Sequence, residues 1–350
     1  MHPVLVYGAS GYSGRLVALE LLRLGVRPLL CGRDARKTAA VAEELGLPHR
    51  VAAVEDPAAL AAAVAEAPVV LNAAGPFSHT TAPLVAACLA RGAHYLDIAG
   101  EVPAVAALAE RHAEARARGV MLLPSVGFDV VPTDCLLAHV ARRCPGGRTL
   151  VTAVSRPAFL TPGSAKSLVE NIDLGVVRRN GAVTPVPLGS LERTFDFGTG
   201  PRACLNVSFV DVVTGFYTTG IGDMTTFIEV TPMLRLMPLG RMLAPWLRTP
   251  FGELVGRALA DAAWRDAPET VDTAAFRMTV IAECSDGNGR TVRSRLTTPE
   301  AYDFTGVTAA ASAARVAAGE VEPGFQTPAR LFGADFVLSF AGVRREDCDP

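Results

Sequence analysis

Lysine is nearly missing from this chain. Lys37 and Lys166 are the only two among 33 basic residues, so a mechanism built on a lysine amine has two candidates. Cysteines number seven, an odd count, and none stands in a C-x-x-C pair or beside clustered histidines. That excludes a disulfide framework and a Cys/His metal site, and it fits free thiols in a reducing, cytoplasmic setting. No run of about 18 uncharged apolar residues exists, so no membrane-spanning helix is expected. The opening MHPVLVYG has neither a basic stretch nor a long apolar one, so no secretory signal is expected. A formal charge of −2 with no basic run argues against nucleic acid as a partner, and so against a DNA-binding regulator. The patterns Tyr-x-x-x-Lys, G-x-S-x-G, H-E-x-x-H and the P-loop are all absent. The first absence removes the short-chain dehydrogenase mechanism.

Half of the 350 residues are hydrophobic, enough for a sizeable core, and the length suits two domains or one large one. Over residues 3–124 short apolar runs alternate with amphipathic helical stretches. Strands are expected at 3–7, 28–31, 49–53, 68–72, 94–98 and 120–124. Asp34 and Asp56-Pro57 mark helix starts, and Gly25, Gly46 and Gly119 mark helix ends. This alternation predicts a doubly wound parallel sheet of the Rossmann type. Past residue 145 the pattern turns strand-like. Two alternating runs flank Asp286-Gly287-Asn288-Gly289 as a hairpin does. The expectation is a Rossmann domain over 1–130, an α+β domain with a mostly antiparallel sheet over 131–310, and a C-terminal segment, 311–350, packing back on the first. The apolar, arginine-dotted stretch 233–260 reads as a helical pair at a domain or dimer interface, or else as a membrane-surface helix.

Three glycines follow the first strand. Gly8 permits a tight turn, Gly11 a close approach to a pyrophosphate, and Gly14 close helix packing, while Ser10 and Ser13 offer hydroxyls. The second strand ends Cys31-Gly32-Arg33-Asp34, with Lys37 one turn on. Arg33 and Lys37 suit a 2′-phosphate, so NADP(H) is expected over NAD(H). The alternative makes them solvated surface charges. Asp34 reads as a helix cap. The fourth strand leads into Asn72-Ala73-Ala74-Gly75-Pro76-Phe77, whose small residues would let a cofactor approach and whose Pro76 would wall the nicotinamide. Tyr95, Asp129 and His79, on or beside strand ends, are the candidates for proton chemistry. Each also has a plain structural reading: Tyr95 as core, His79 as a cap or solvent-facing. Asp97, Glu101 and Asp134 read as helix caps as readily as catalytic groups.

GASGYSG, CGRD, NAAGPF, HYLDIAGE and SVGFDVVPTD, in this order and spacing, resemble the saccharopine dehydrogenase-like NADP-binding family. The likeness is to its branch of trans-acting enoyl reductases. It is dense over residues 1–135 and thins over 150–300, where LTPGSAKSL and, further on, GFQTPARLFG carry it. The resemblance implies a Rossmann domain joined to an α/β domain that contacts substrate and often dimerises. It puts Gly8, Ser10, Gly11, Tyr12, Gly14, Arg33, Asn72, Ala73 and Gly75 on cofactor positions, and Gly127–Pro132 near the nicotinamide. The substrate half is shorter than in many relatives, and the family's pattern for amino-acid recognition is not evident. The expectation is therefore a homodimeric NADPH-dependent reductase of a C=C or C=N bond in a lipid or specialised metabolite. A saccharopine- or opine-type dehydrogenase, with Arg156, Arg178, Arg179 and Arg202 gripping carboxylates, is one rival. A non-catalytic NADP-binding protein is another.

Overall fold

The computed structural model describes residues 2–155, 175–230, 249, 252 and 276–349. The first half alternates strand and helix: β1 Leu5–Tyr7, α1 Tyr12–Arg23, β2 Leu29–Gly32, α2 Ala35–Leu45, β3 His49–Val51, α3 Pro57–Val64, β4 Val69–Asn72, α4 Phe77–Arg91, β5 His94–Asp97, α5 Val102–Glu110, α6 His112–Ala117, β6 Met121–Leu123 and α7 Val131–Arg143. The second half contributes β7 Thr149–Val154, β8 Val176–Arg179, β9 Ala182–Pro185, β10 Glu192–Asp196, β11 Pro201–Asn206, α8 Asp211–Thr219, β12 Asp223–Glu229, β13 Met278–Ser285, β14 Thr291–Thr298, α9 Ala301–Ala317, β15 Gly324–Phe325, α10 Pro328–Phe332 and β16 Arg344–Asp347.

Seven strands form one parallel sheet in the order β15-β6-β5-β4-β1-β2-β3. Successive strand residues point to opposite faces, and both faces are covered. Leu5, Tyr7, Val70, Tyr95 and Leu122 pack under α3, α4 and α5. Val4, Val6, Leu71, Leu96 and Leu123 pack under α1, α2 and α9. Among the described residues the second sheet has nine strands, with β10-β11-β12-β7-β13-β14-β16 as its main path and β8 and β9 attached through β12. All its pairings are antiparallel except β12 with β7. Asp286 Oδ1 ties the 286–290 turn of the β13–β14 hairpin by accepting from Asn288 N at 2.7 Å. Helix α7 lays Val131, Cys135, Leu136 and Val140 on this sheet.

The C-terminal boundary differs from the sequence expectation. The return to the first domain starts at α9, before residue 311, because the small face of α9 (Gly306, Ala309, Ala310, Ala313) packs against α1. β15 then joins the parallel sheet beside β6, but β16 leaves again and pairs with β14. The stretch 233–260, apart from Thr249 and Gly252, lies outside the described residues, as do LTPGSAKSL, Arg156 and Lys166. No helix among the described residues is long and apolar enough to cross a membrane.

Candidate cofactor and proton-transfer site

The turn after β1 is pressed against the turn after β4. Gly8 has φ +82°, and a Cβ there would stand 2.7 Å from Ala74 Cβ. A Cβ on Gly14 would drive into the Gly8 carbonyl. Gly11 is exposed, and beyond Gly8 O nothing crowds the place its side chain would take. Helix α1 starts at Gly11 without a side-chain cap. Its first-turn N–H groups therefore lack partners in their own helix, as an anion at a helix start requires. By contrast α2 is capped by Asp34, which accepts from Lys37 N at 2.9 Å, so Asp34 is the cap the sequence suggested. Arg33 and Lys37 are both exposed beside it, with no ion pair or side-chain hydrogen bond to a described residue.

Between β2 and the glycine turn stands a residue that the sequence pattern did not single out. Thr38 is fully buried and its hydroxyl has no hydrogen-bond partner. A Cβ on Gly32 would stand 2.7 Å from Thr38 Oγ1 and 3.9 Å from Ser10 Oγ. Glycine at position 32 therefore makes room for the Thr38 side chain under the end of β2 and leaves the β2 turn open toward Ser10. The one sequence signal of Thr38 is a polar residue on an otherwise apolar helix face.

The turn after β4 is fixed from below. Asn72 is fully buried; its Oδ1 accepts from Ala74 N at 3.0 Å. Its Nδ2 donates to Thr80 Oγ1 at 3.0 Å and to the Tyr95 hydroxyl at 3.1 Å. Thr80 in turn donates to Ala74 O at 2.7 Å. Ala73, Ala74, Gly75 and Pro76 are thus held in place, and Gly75 faces solvent. Tyr95, a candidate proton donor from sequence, has no exposed surface. Burial raises its hydroxyl well above the usual phenol range. It lies in the core under Asn72 and acts as a positioning group, because a sealed phenol meets no substrate.

The next loops are tied to that turn. Glu101, next to α5, caps α4 instead of its own helix, accepting from Phe77 N at 3.1 Å and Ser78 N at 2.9 Å. Asp97 Oδ1 accepts from Ala99 N and from Ser125 N at 2.8 Å. It caps no helix, and burial lifts it to about 6. Phe128 N donates to Thr305 Oγ1 of α9 at 3.0 Å, which brings the start of α9 to the same rim. His79, the third proton candidate, is exposed on the first turn of α4.

Asp129 is the proton candidate that the geometry favours. Its side chain reaches solvent, yet protein crowds it closely enough that loss of hydration lifts it to about 6. A Cβ on Gly100 would stand 2.5 Å from Asp129 Oδ2, so the glycine makes room for the carboxylate. Behind it lie two buried carboxyls. Asp134 accepts from Thr218 Oγ1 and from Ala329 N. Asp211 is fully buried, and neither of its oxygens has a donor in good geometry. Thr133 gives it little relief, since that hydroxyl donates to Val130 O at 3.0 Å. Burial, with Asp134 and Asp129 adding to it, raises Asp211 to about 8.

A glycine turn from β1 into an uncapped helix, on a doubly wound sheet, defines a dinucleotide-binding domain of the Rossmann class. Residues 4–123 match the saccharopine dehydrogenase NADP binding domain. The domain binds NADP(H), and Gly11 at the glycine turn, Arg33 and Lys37 are the exposed groups that could hold it. The chain is also similar to trans-acting enoyl reductases. It is 35% identical over 154 residues to that of Mycobacterium leprae, covering 42% of this chain and 37% of the relative. It is 33% identical over 148 residues to that of Mycobacterium ulcerans, covering 40% and 35%. The match therefore spans little more than a third of those relatives. Saccharopine dehydrogenase (L-Glu forming) from Saccharomyces cerevisiae shares the fold, with a TM-score of 0.65 over 99% of both chains at 13% identity.

Proposed function

We propose that the protein is an NADPH-dependent reductase acting on an enoyl C=C or a C=N bond in a lipid or specialised-metabolite substrate. The observation that carries this reading is Asp129, an exposed carboxyl on the loop that follows β6, for which Gly100 on the loop after β5 leaves room. When bound, NADPH supplies the hydride. The chain's part is to hold the cofactor at the β1 and β4 turns and to provide the proton that balances the hydride. An enoyl substrate takes that proton at carbon after its carbonyl oxygen has been held by donors; an imine takes it at nitrogen. The relatives' names support the enoyl reading.

The saccharopine-type alternative needs free cations for substrate carboxylates. Arg178 is buried, donates to Val212 O at 2.5 Å and stacks 4.2 Å over Phe216. Arg179 donates to Thr225 Oγ1 at 3.1 Å, and Arg202 lies 4.0 Å from Glu229. These three are engaged in the second domain's own structure, which favours the reductase reading. NADPH oxidation followed with trans-2-enoyl thioesters is the test. Asp129→Asn should lower kcat by roughly 10²-fold or more while leaving NADPH affinity unchanged. Full activity in that variant, or turnover only with an amino acid plus a keto acid, refutes the proposal.

A further inference from the structure

A second cleft, of about 350 Å³, opens beside the edge strand β15, separated from β1 by β6, β5 and β4. It is lined by His112, Arg116, Glu322, Pro323 and Arg330. The two arginines come from α6 and α10, far apart in sequence. Both are exposed, and neither guanidinium makes an ion pair or hydrogen bond with a described residue. Neighbouring arginines behave differently: Arg111 and Arg118 both pair with Glu114.

His112 is held in place by backbone. Its Nδ1 accepts from Phe325 N at 3.1 Å, so the neutral ring carries its proton on Nε2, where it is left to donate. Gly324, at φ +99°, makes this possible, since a Cβ there would stand 2.8 Å from the ring. Two planar guanidinium forks and one imidazole N–H therefore line a single concave site. Among the described residues Glu322 is the one acid in the lining, and no ion pair joins it to either arginine. Like-signed groups brought together without counter-charges are offset when an anion bridges them, and guanidinium forks match the oxygens of a phosphate two at a time.

We infer that this cleft is a binding site for a small phosphate-bearing molecule, distinct from the NADP(H) site. The site has a route to the interior. Arg330 lies on α10, whose Ala329 N–H holds Asp134 at 2.8 Å, and Thr327 at its cap meets Thr218 of α8. A ligand gripping Arg330 therefore pulls on the short helix whose Ala329 N–H holds Asp134, behind Asp129.

The test uses the full chain saturated with NADP⁺, so that the cofactor's own phosphate sites are filled. Inorganic phosphate and glycerol phosphate are titrated against chloride at matched ionic strength, by calorimetry and by thermal unfolding. Phosphate should bind and raise the Tm where chloride does not. The double variant Arg116→Ser/Arg330→Ser should lose affinity by roughly 10-fold or more. Its Tm in chloride should match the parent, since both side chains are on the surface. Glu322→Gln should tighten phosphate several-fold by removing the one opposing charge. Arg33→Ala, which sits at the cofactor, should leave the phosphate effect intact. Absence of a phosphate-specific response overturns the inference. So does a response that the double arginine variant retains, which would mark a general electrolyte effect.

Discussion

Asp211 makes the stability of this protein depend on pH in a way that one substitution removes. The carboxyl starts α8, is fully buried and has no satisfactory donor. In the unfolded chain it ionises near 3.8, and in the native protein near 8. Below pH 4 both states hold the proton, and the folded state keeps its full stability from this group. Between pH 4 and 8 folding must take up a proton, so stability falls as pH rises. Above pH 8 both states have lost the proton and the dependence ends. One proton corresponds to about 1.4 kcal/mol per pH unit. Over the whole interval that is at most about 6 kcal/mol, and local relaxation and water entry reduce it to roughly half. Asp211→Asn keeps the shape and removes the titration. Any cost of the new amide is the same at every pH, so the slope is the quantity to read. Denaturant unfolding at pH 5, 6, 7 and 8 should show the gap between variant and parent moving in the variant's favour with each step. Asp97, Asp129 and Asp134 titrate near 6 in both proteins and leave the difference untouched from pH 7 to 8. Parallel stability curves for the two proteins across this range would refute the reasoning.

Two further substitutions separate roles at the cofactor site. Arg33→Ala should weaken NADPH by roughly 10- to 100-fold while leaving NADH nearly unchanged, because a charge-assisted fork to the 2′-phosphate is worth about 1.5–3 kcal/mol; fluorescence titration with both cofactors reads this directly. Tyr95→Phe deletes the hydroxyl that Asn72 donates to, so it should cost about 1–2 kcal/mol of stability in denaturant unfolding. Turnover should change by less than about 10-fold, against the 10²-fold or larger loss that a proton donor would show.

The parallel sheet was legible because each buried strand leaves a short apolar run and each covering helix leaves a capped, periodic one. The cofactor turn was legible because its three glycines are a local demand of a local shape. The supports of the site were not. Glu101 reads as the cap of α5 from sequence, yet it caps α4, 23 and 24 residues away. Asn72 and Tyr95 each carry a polar group suited to chemistry, and only the fold shows that they satisfy one another in the core. Asp211 sits in a stretch that reads as an ordinary strand and leaves no trace of its neighbours Asp134 and Asp129. The start of the C-terminal return was misplaced for the same reason. The small residues of α9 signal a helix but not which helix they meet.

The late entry of β15 sets the order in which this protein can be made. Glu322 N, just before β15, reaches the Met121 sulfur across 201 residues of sequence. A ribosome delivering the chain from its N-terminus releases β1 to β6 long before that edge is available to them. Until the edge arrives, β6 presents an unpaired side, and α1 lacks the α9 that covers it. The cofactor domain is thus encoded first and completed nearly last, and a nascent chain has to shield that open edge while the whole second sheet is being synthesised.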